Sequence, residues 1–301
     1  MPSRALLVAN PRASRTGPAT VGTVVARLVG AGWAVEAHEA RDPGTVRRLA
    51  AEGAAAGVDL VVAIGGDGTL VEAMTPLVGT GIPLGIVPGG AGNLLATNLG
   101  IPGRAAAAAD VLVTGRPRRL DLGRADWSGG SRYFSIAVGV GFDARVIAAT
   151  GVERKRRLGK LAYFATAAGL ATLLEAVPHA VTIDGERREL GASEVLVANV
   201  GEAVPGLLGP RWPVIPDDGL LDVLVMTARD PFNGLLGAWE ALFQPGPGDH
   251  PGGRVFRARA REVSIEATPA QPVELDGDPL GTTPVSATVV PGAISVIVPA
   301  R

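Results

Sequence analysis

Over the first 120 residues, short continuous apolar runs alternate with stretches whose apolar positions recur at helical spacing. Residues 4–9 (RALLVA) read as a buried strand, followed by the turn-rich NPRASRTGP and an Ala/Val-rich helix over 18–29. Residues 33–38 alternate like a strand. Asp42 and Pro43 then predict an N-cap and a first helical position for the helix of GTVRRLAAEGAAA. The run 58–64 is another continuous strand that meets GGDGT, after which LVEAM is a helical turn closed by Pro76. Residues 83–87 repeat the pattern, with PGGAGN as the turn and LLATNLG as a helix ended by Gly100. Strands alternating with helices in this way predict an α/β domain built on a doubly wound parallel sheet.

Beyond about Arg119 the period shortens towards two. RLDLGRAD, RYFSIAVGVGF, AVTIDGERREL, SEVLVANV, GLLDVLVM, RVFRARA, EVSIEA, PVELDG and AISVIVP alternate as short strands, several joined by Asp-Gly or Ser-Gly-Gly turns. This half is expected to be a mainly antiparallel β-sandwich, interrupted by helical segments over 160–176 and 231–243 and by a loop, PGPGDHPGG, over 245–253. The expected domains are therefore 1–120 and 121–301, with the last strand, 293–299, able to return to the first domain.

Composition narrows the chemistry. A length of 301 residues exceeds what one core usually serves, which agrees with two domains. The hydrophobic content of 47% with 42 Gly and no collagen-like period excludes disorder and fibres. A net charge of -1 argues against a general nucleic-acid binder. The absence of Cys removes disulfides, zinc ribbons and thiol nucleophiles, and His38, His179 and His250 stand too far apart in sequence to suggest a histidine metal site. Lys155 and Lys160 are the only lysines, and neither sits in a GxxxxGK[ST] frame, which removes the P-loop NTPases. The uncharged run 161–174 is shorter than the ~20 residues that a bilayer span needs, so no transmembrane segment is expected. The N-terminal MPSRALLVANP lacks a signal-peptide core, which makes the cytoplasm the expected location.

Three polar or Gly-rich turns follow three of the parallel strands: Asn10-Pro11-Arg12-Ala13-Ser14, Gly65-Gly66-Asp67-Gly68-Thr69 and Pro88-Gly89-Gly90-Ala91-Gly92-Asn93. Open α/β sheets bind ligands at the carboxyl ends of their strands, so these loops are expected to converge on one crevice. Glycines let backbone N–H groups approach phosphate oxygens, and each following helix turns its positive end to the anion. One such loop alone is simply a tight turn; three together point to a nucleotide. Asp67 would repel a bare phosphate, which suggests a magnesium nucleotide or acid–base work, while capping of the helix at Gly68-Thr69 is compatible with both. Asp217-Asp218-Gly219 and Asp276-Gly277-Asp278 read, by themselves, as hairpin turns.

Taken in order, NPRAS, GGDGT, PGGAGN, DDG-LLDV and the late DGD resemble the diacylglycerol kinase catalytic-domain family of lipid kinases, which includes bacterial diacylglycerol kinases and sphingosine kinases. The resemblance covers nearly the whole chain. GGDGT alone is weak, because NAD kinases and phosphofructokinases share it; the ordered set is specific. The resemblance implies ATP in a cleft between the two domains and transfer of the γ-phosphoryl group to the hydroxyl of a diacylglycerol-like lipid. It implies that residues 10–14, Gly65 to Leu70, Ala91 and Asn93 face the nucleotide, with Asp67 in a magnesium and water network. It further implies that Asp218, with carbonyls near Ile215 and Leu220, binds Mg²⁺ through hard oxygens, and that Asp278 is the general base. Such a reaction is mostly positioning and charge neutralisation, so this sparse set of groups suffices.

Three positions depart from the family pattern. Asp278 stands where DGE is usual, Ala91 replaces the Thr of GTGN, and Leu94 replaces a frequent Asp, which predicts weakened or altered activity. The basic stretch 153–160 resembles a KxxxG-x-x-Y segment that would meet anionic headgroups or ATP phosphates, each basic residue near a membrane being worth about 1 kcal/mol; a solvated loop is the plain alternative. PGLLGPRWP at 205–213 would rim the lipid cleft, or is a proline-stiffened loop. The reading is thus a peripherally membrane-associated enzyme of phospholipid metabolism. Its alternatives are a catalytically degenerate nucleotide or lipid binder and an NAD kinase, although Asn199-Val200 is not the Asn-Glu pair expected of the latter. An exposed strand edge in the second domain is a candidate for pairing into a homodimer. The acceptor lipid is not legible in the sequence.

Overall fold

The computed structural model describes residues 2–150, 166, 169–170, 174–201, 215–228, 230, 232–234 and 254–300. The chain forms two compact units, one made of Met1–Leu120 with Gly292–Arg301 and one of Asp121–Pro291.

The first unit carries strands β1 (Arg4–Ala9), β2 (Ala34–Glu39), β3 (Leu60–Gly65) and β4 (Leu84–Pro88) in the order β2-β1-β3-β4, all parallel. The continuous apolar runs of β3 and β4 are buried at every position, as a sheet covered on both faces requires. Helix α1 (Pro18–Gly30) packs against α5 (Ala105–Thr114), and α2 (Thr45–Ala55) packs against α3 (Asp67–Met74). A short α4 (Leu94–Asn98) follows β4. Two details differ from the sequence expectation. Asp42 is not the cap of α2; its carbonyl accepts from the Thr45 N–H, and Gly44, left-handed at φ 76°, takes the cap position. The Ala-rich α5 adds a helix to the expected alternation.

The second unit is a sandwich of two sheets. The final strand of the set, β16 (Val285–Val298), enters one sheet through its first residues, beside β13 (Glu262–Ala267), β8 (Val177–Ile183) and β9 (Glu186–Ala192) in that order. Its later residues reach the first unit's sheet, where Val296 pairs in parallel with Leu84 of β4. In the second unit β5 (Arg116–Trp127) also pairs with β6 (Gly130–Phe134). The other sheet runs β12 (Val255–Ala260), β11 (Leu221–Met226), β10 (Glu194–Ala198), β7 (Ala137–Gly141), β14 (Pro272–Leu275), β15 (Asp278–Thr282). All of its pairs are antiparallel. Between the sheets lies a core that includes Phe134, Val138, Val195, Val223 and Ile265. The run RYFSIAVGVGF is two strands, β6 and β7, rather than one, and β7 leads directly into helix α6 (Phe142–Thr150), which the alternating pattern concealed. The helices expected over 160–176 and 231–243 fall mainly, and the loop over 245–253 wholly, outside the described residues.

Candidate active site

The three turns of the first unit are stitched to one another by backbone and side chain. Asn10 receives its place from the chain: its N–H donates to the Ile64 carbonyl at 2.9 Å, its Nδ2 donates to Thr69 Oγ1 at 2.9 Å, and its Oδ1 accepts the Arg12 N–H at 3.0 Å. Gly89 N–H donates to the Gly65 carbonyl at 2.7 Å, and Arg15 closes the third side, its N–H bonding the Gly89 carbonyl at 2.8 Å and its Nη2 the Gly90 carbonyl at 3.0 Å. Asn93, left-handed at φ 51°, accepts the Gly90 N–H at 2.9 Å and returns its Nδ2 to the Gly90 carbonyl at 2.7 Å.

The turns approach so closely that a side chain on Gly90 has no room and one on Gly66 would be tight. A Cβ placed on Gly90 would lie 2.5 Å from Cα of Gly66, and one on Gly66 would lie 3.2 Å from Cα of Gly90. Both obstacles are main chain, so no rotamer relieves them. Asp67 sits in the first turn of α3, whose N-cap is Gly66, and its Oδ1 accepts the Leu95 N–H of α4 at 3.2 Å. The carboxylate thus ties one helix start to the next rather than capping its own helix. Leu70 is buried in the core and bonds its N–H to the Gly66 carbonyl, whereas Pro11, Arg12, Ser14, Gly68 and Ala91 are exposed and Ala13 is half-buried.

In the second unit, the acidic turns that looked like separate hairpins belong to one hydrogen-bonded network. Asp121 of β5, which the sequence reading passed over, is buried. Its N–H donates to the Pro216 carbonyl at 2.7 Å and its Oδ2 accepts the Gly219 N–H at 2.7 Å, holding the 216–219 turn at both ends. Asn199, also buried, donates its Nδ2 to the carbonyls of Asp121 at 3.0 Å and Ser135 at 3.2 Å, and its N–H to that of Ile136 at 2.8 Å. The 135–137 segment in turn meets the Asp276 carboxylate, which accepts the N–H groups of Ser135, Ile136 and Ala137 at 2.8, 2.8 and 3.0 Å. Asp278 opens β15 and is exposed, two residues further on. The network therefore links the turn that carries Asp218 to the turn that carries Asp278.

Two glutamates near these turns are buried. Glu194 accepts the Asp143 N–H through Oε2 at 2.7 Å, and Glu274 accepts the Gly277 N–H through Oε2 at 2.7 Å. Burial, and then the neighbouring charges of Asp143 and Glu274, push the Glu194 carboxyl well above the ordinary glutamate range, so it holds its proton where a surface glutamate would have lost it.

For the metal, the available donors near Asp218 are hard oxygens, which suits Mg²⁺. Asp218 Oδ1 accepts the Leu220 N–H at 3.1 Å, and its Oδ2 lies 3.2 Å from Arg259 Nη1. Arg259 also reaches Asp222 through Nε at 3.1 Å. The carboxylate is thus already paired with a cation, and Ile215, three residues earlier, is exposed. Among the described residues no cluster of three acidic, His or Cys side chains is gathered for a metal, so a cation here would rest on one carboxylate and main-chain carbonyls. The basic stretch 153–160, the 205–213 segment and His250 lie outside the described residues. No helix among the described residues is long and apolar enough to cross a membrane.

An α/β unit with a glycine-lined cradle, joined to an antiparallel sandwich that presents ordered acidic turns, is the architecture of the lipid kinases, and comparison with known proteins agrees. Residues 4–125 match the model of the diacylglycerol kinase catalytic domain, and residues 136–298 match that of the YegS C-terminal NAD kinase β-sandwich-like domain. The chain belongs to the diacylglycerol kinase family of lipid kinases. It is 32% identical over 292 residues to a diacylglycerol kinase of Mycobacterium tuberculosis, covering 92% of this chain and 86% of the relative. It is 34% identical over 298 residues to a Pseudomonas aeruginosa protein named "Probable lipid kinase YegS-like", covering 95% and 92%. Against an uncharacterized protein of Synechocystis, 28% identical over 246 residues, the match takes in 81% of this chain but only 55% of the longer relative. Two solved structures from Bacillus anthracis share the fold. One, of a diacylglycerol kinase, is 23% identical with a TM-score of 0.74 and covers 98% of this chain and 97% of its own; the other is 26% identical with a TM-score of 0.80 and covers 98% and 95%.

Proposed function

We propose that this lipid kinase transfers the γ-phosphoryl group of ATP to the hydroxyl of a diacylglycerol-like lipid at a membrane surface. The observation that carries the nucleotide half of this reading is the contact between Gly66 and Gly90: two loops at strand ends meet where a Cβ on Gly90 would strike the Gly66 main chain, at the N-terminus of α3, whose positive end suits a phosphate. Residues 10–14, Gly65 to Leu70, Ala91 and Asn93 hold the nucleotide in this reading, and Asp67 orders the loops around it. Leu70 contributes through its place in the core rather than by contact, since its side chain is buried.

Asp278 is the base in this reading. Its carboxylate takes the proton of the lipid hydroxyl as that oxygen forms a bond to the γ-phosphorus; the bond from phosphorus to the β,γ-bridging oxygen breaks, and ADP leaves with the electron pair. The exposed position of Asp278 suits a group that must meet a large second substrate. Mg²⁺, when bound, neutralises charge on the transferring phosphate; Asp218 with the carbonyls of Ile215 and Leu220 would hold it, sharing the carboxylate with Arg259. Ala91 and Leu94, at positions where the family carries a hydroxyl and a carboxylate, predict slow turnover rather than loss of it.

The test uses γ-labelled ATP, Mg²⁺ and mixed micelles of diacylglycerol, with sphingoid base, ceramide and NAD as parallel acceptors. Label entering diacylglycerol supports the reading. Label entering NAD alone would overturn it.

A further inference from the structure

We propose that Asp276 is the positioning residue of the base: by gripping three successive backbone N–H groups of the 135–137 segment, its carboxylate fixes the turn that delivers Asp278. This inference rests on the assignment of Asp278 under the proposed function.

The grip is unusually complete for a turn residue. Oδ2 accepts the Ser135 N–H at 2.8 Å and the Ser135 hydroxyl at 3.2 Å, while Oδ1 accepts the N–H groups of Ile136 at 2.8 Å and Ala137 at 3.0 Å. Four donors thus converge on the two oxygens of one side chain. The Asp276 N–H returns to the Ala137 carbonyl at 3.0 Å, so side chain and main chain hold the same segment.

That segment is itself fixed, because Asn199 binds the carbonyls of Ser135 and Ile136. Asp276 and Gly277, at φ 50° and 84°, form a two-residue connection from β14 to β15, in which Leu275 pairs with Asp278. Glu274 accepts the Gly277 N–H at 2.7 Å from the other side. The N–H groups of Asp276 and Gly277, the two residues between β14 and Asp278, are thus both bonded to neighbours.

A second turn in the same unit supplies the control. Asp184 and Gly185, at φ 46° and 88°, join β8 to β9 in the same way, and Asp184 Oδ1 accepts the N–H groups of Arg261 at 2.8 Å and Glu262 at 2.9 Å. Asp184 anchors a hairpin with no assigned catalytic group after it. If Asp276 served only to hold a hairpin, the two substitutions would behave alike.

The experiment measures kcat, the KM for ATP and thermal melting in the full chain for the wild type, D276N, D184N, D278N and the D276N/D278N double variant. Asn keeps the shape of Asp276 but turns one acceptor into a donor facing N–H groups. D276N is expected to lower kcat about tenfold or more, since a displacement of the order of 1 Å at a reacting group costs up to about a hundredfold, with the KM for ATP within about twofold. D184N is expected to turn over like the wild type. The double variant is expected to be no slower than D278N alone, because a group that acts only through another has nothing left to lose. A D276N kcat within about twofold of wild type, or a double variant slower than D278N by the full D276N factor, would overturn the proposal. Should D276N fail to melt cooperatively, Ser135→Ala removes one of the four donors and leaves the backbone grip; a fall in kcat of about twofold or more is expected, the low end of what one hydrogen bond supplies, and an unchanged kcat overturns the proposal. A wild type that labels no lipid, or a D278N variant as fast as wild type, removes the underlying assignment instead, and the proposal falls with it.

Discussion

Asp278 stands exposed at the first position of β15, so replacing it alters chemistry and leaves packing alone. Asp278→Asn is expected to lower kcat by about 10²–10⁴-fold, the usual worth of a positioned proton acceptor, with an unchanged melting temperature; steady-state assays and a melting curve check both. Gly90→Ala does the reverse. Its methyl would meet the Gly66 main chain at 2.5 Å, and the Gly89 to Gly65 bond beside it resists separation of the loops. A destabilisation of about 1–3 kcal/mol, typical of overpacking, is expected together with weakened ATP binding, read by melting and by ATP titration. The sequence made the glycine turns conspicuous because each polar or Gly-rich loop adjoins its apolar run and three of them recur in the first unit. It left Asp121 inconspicuous, since RLDLGRAD reads as an ordinary strand and the partner that gives Asp121 its role, Gly219, is 98 positions away. Asp276 was hidden differently: Asp-Gly is the commonest hairpin signal, and nothing local distinguishes a turn that grips a second segment.

At the scale of elements, β10 begins with Glu194, whose buried carboxyl keeps its proton well above the ordinary range. The folded chain therefore binds more protons than the unfolded chain once the pH passes the ordinary glutamate value, and the contribution of this group to stability falls as pH rises from there towards the raised folded value. Glu194→Gln fixes the neutral form. The variant is expected to melt at a higher temperature than the wild type near pH 8 and to lose part of its pH dependence; equal slopes of melting temperature against pH in the two proteins would contradict this. The strands β1, β3 and β4 were legible as continuous apolar runs, and the shift to period two announced the sandwich. Helices α5 and α6 were not. The first is an Ala-rich run without a side-chain cap, and the second starts directly from β7, with Gly141 at φ 112° between strand and helix, so no polar turn separated the two periods. Asp42 misled because Asp-Pro satisfies the rule for a helix start while Gly44 supplies the conformation that the chain needed there.

For the whole molecule, the proposed reaction puts the nucleotide on loops of the first unit and the base and cation on acidic turns of the second. The cation claim has its own check. Asp218 faces Arg259, which Asp222 also meets, and Asp218→Asn is expected to raise the Mg²⁺ concentration for half-maximal activity about tenfold, measured by Mg²⁺ titration of the kinase rate. An unchanged Mg²⁺ requirement would move the cation elsewhere. The chain's family tie covers both units, since the catalytic-domain match ends at 125 and the sandwich match begins at 136. The acceptor lipid stayed illegible because its recognition is a matter of cleft shape, which apolar residues of many kinds can supply.

The central claim, that these loops and turns together phosphorylate a lipid, is tested most directly by incubating the purified protein with γ-labelled ATP, Mg²⁺ and mixed micelles of a total lipid extract, then partitioning the label into organic solvent. The expected result is a labelled lipid, heavier than its precursor by one phosphoryl group, that disappears in Asp278→Asn. An organic phase without label, from protein that demonstrably binds ATP, would contradict it.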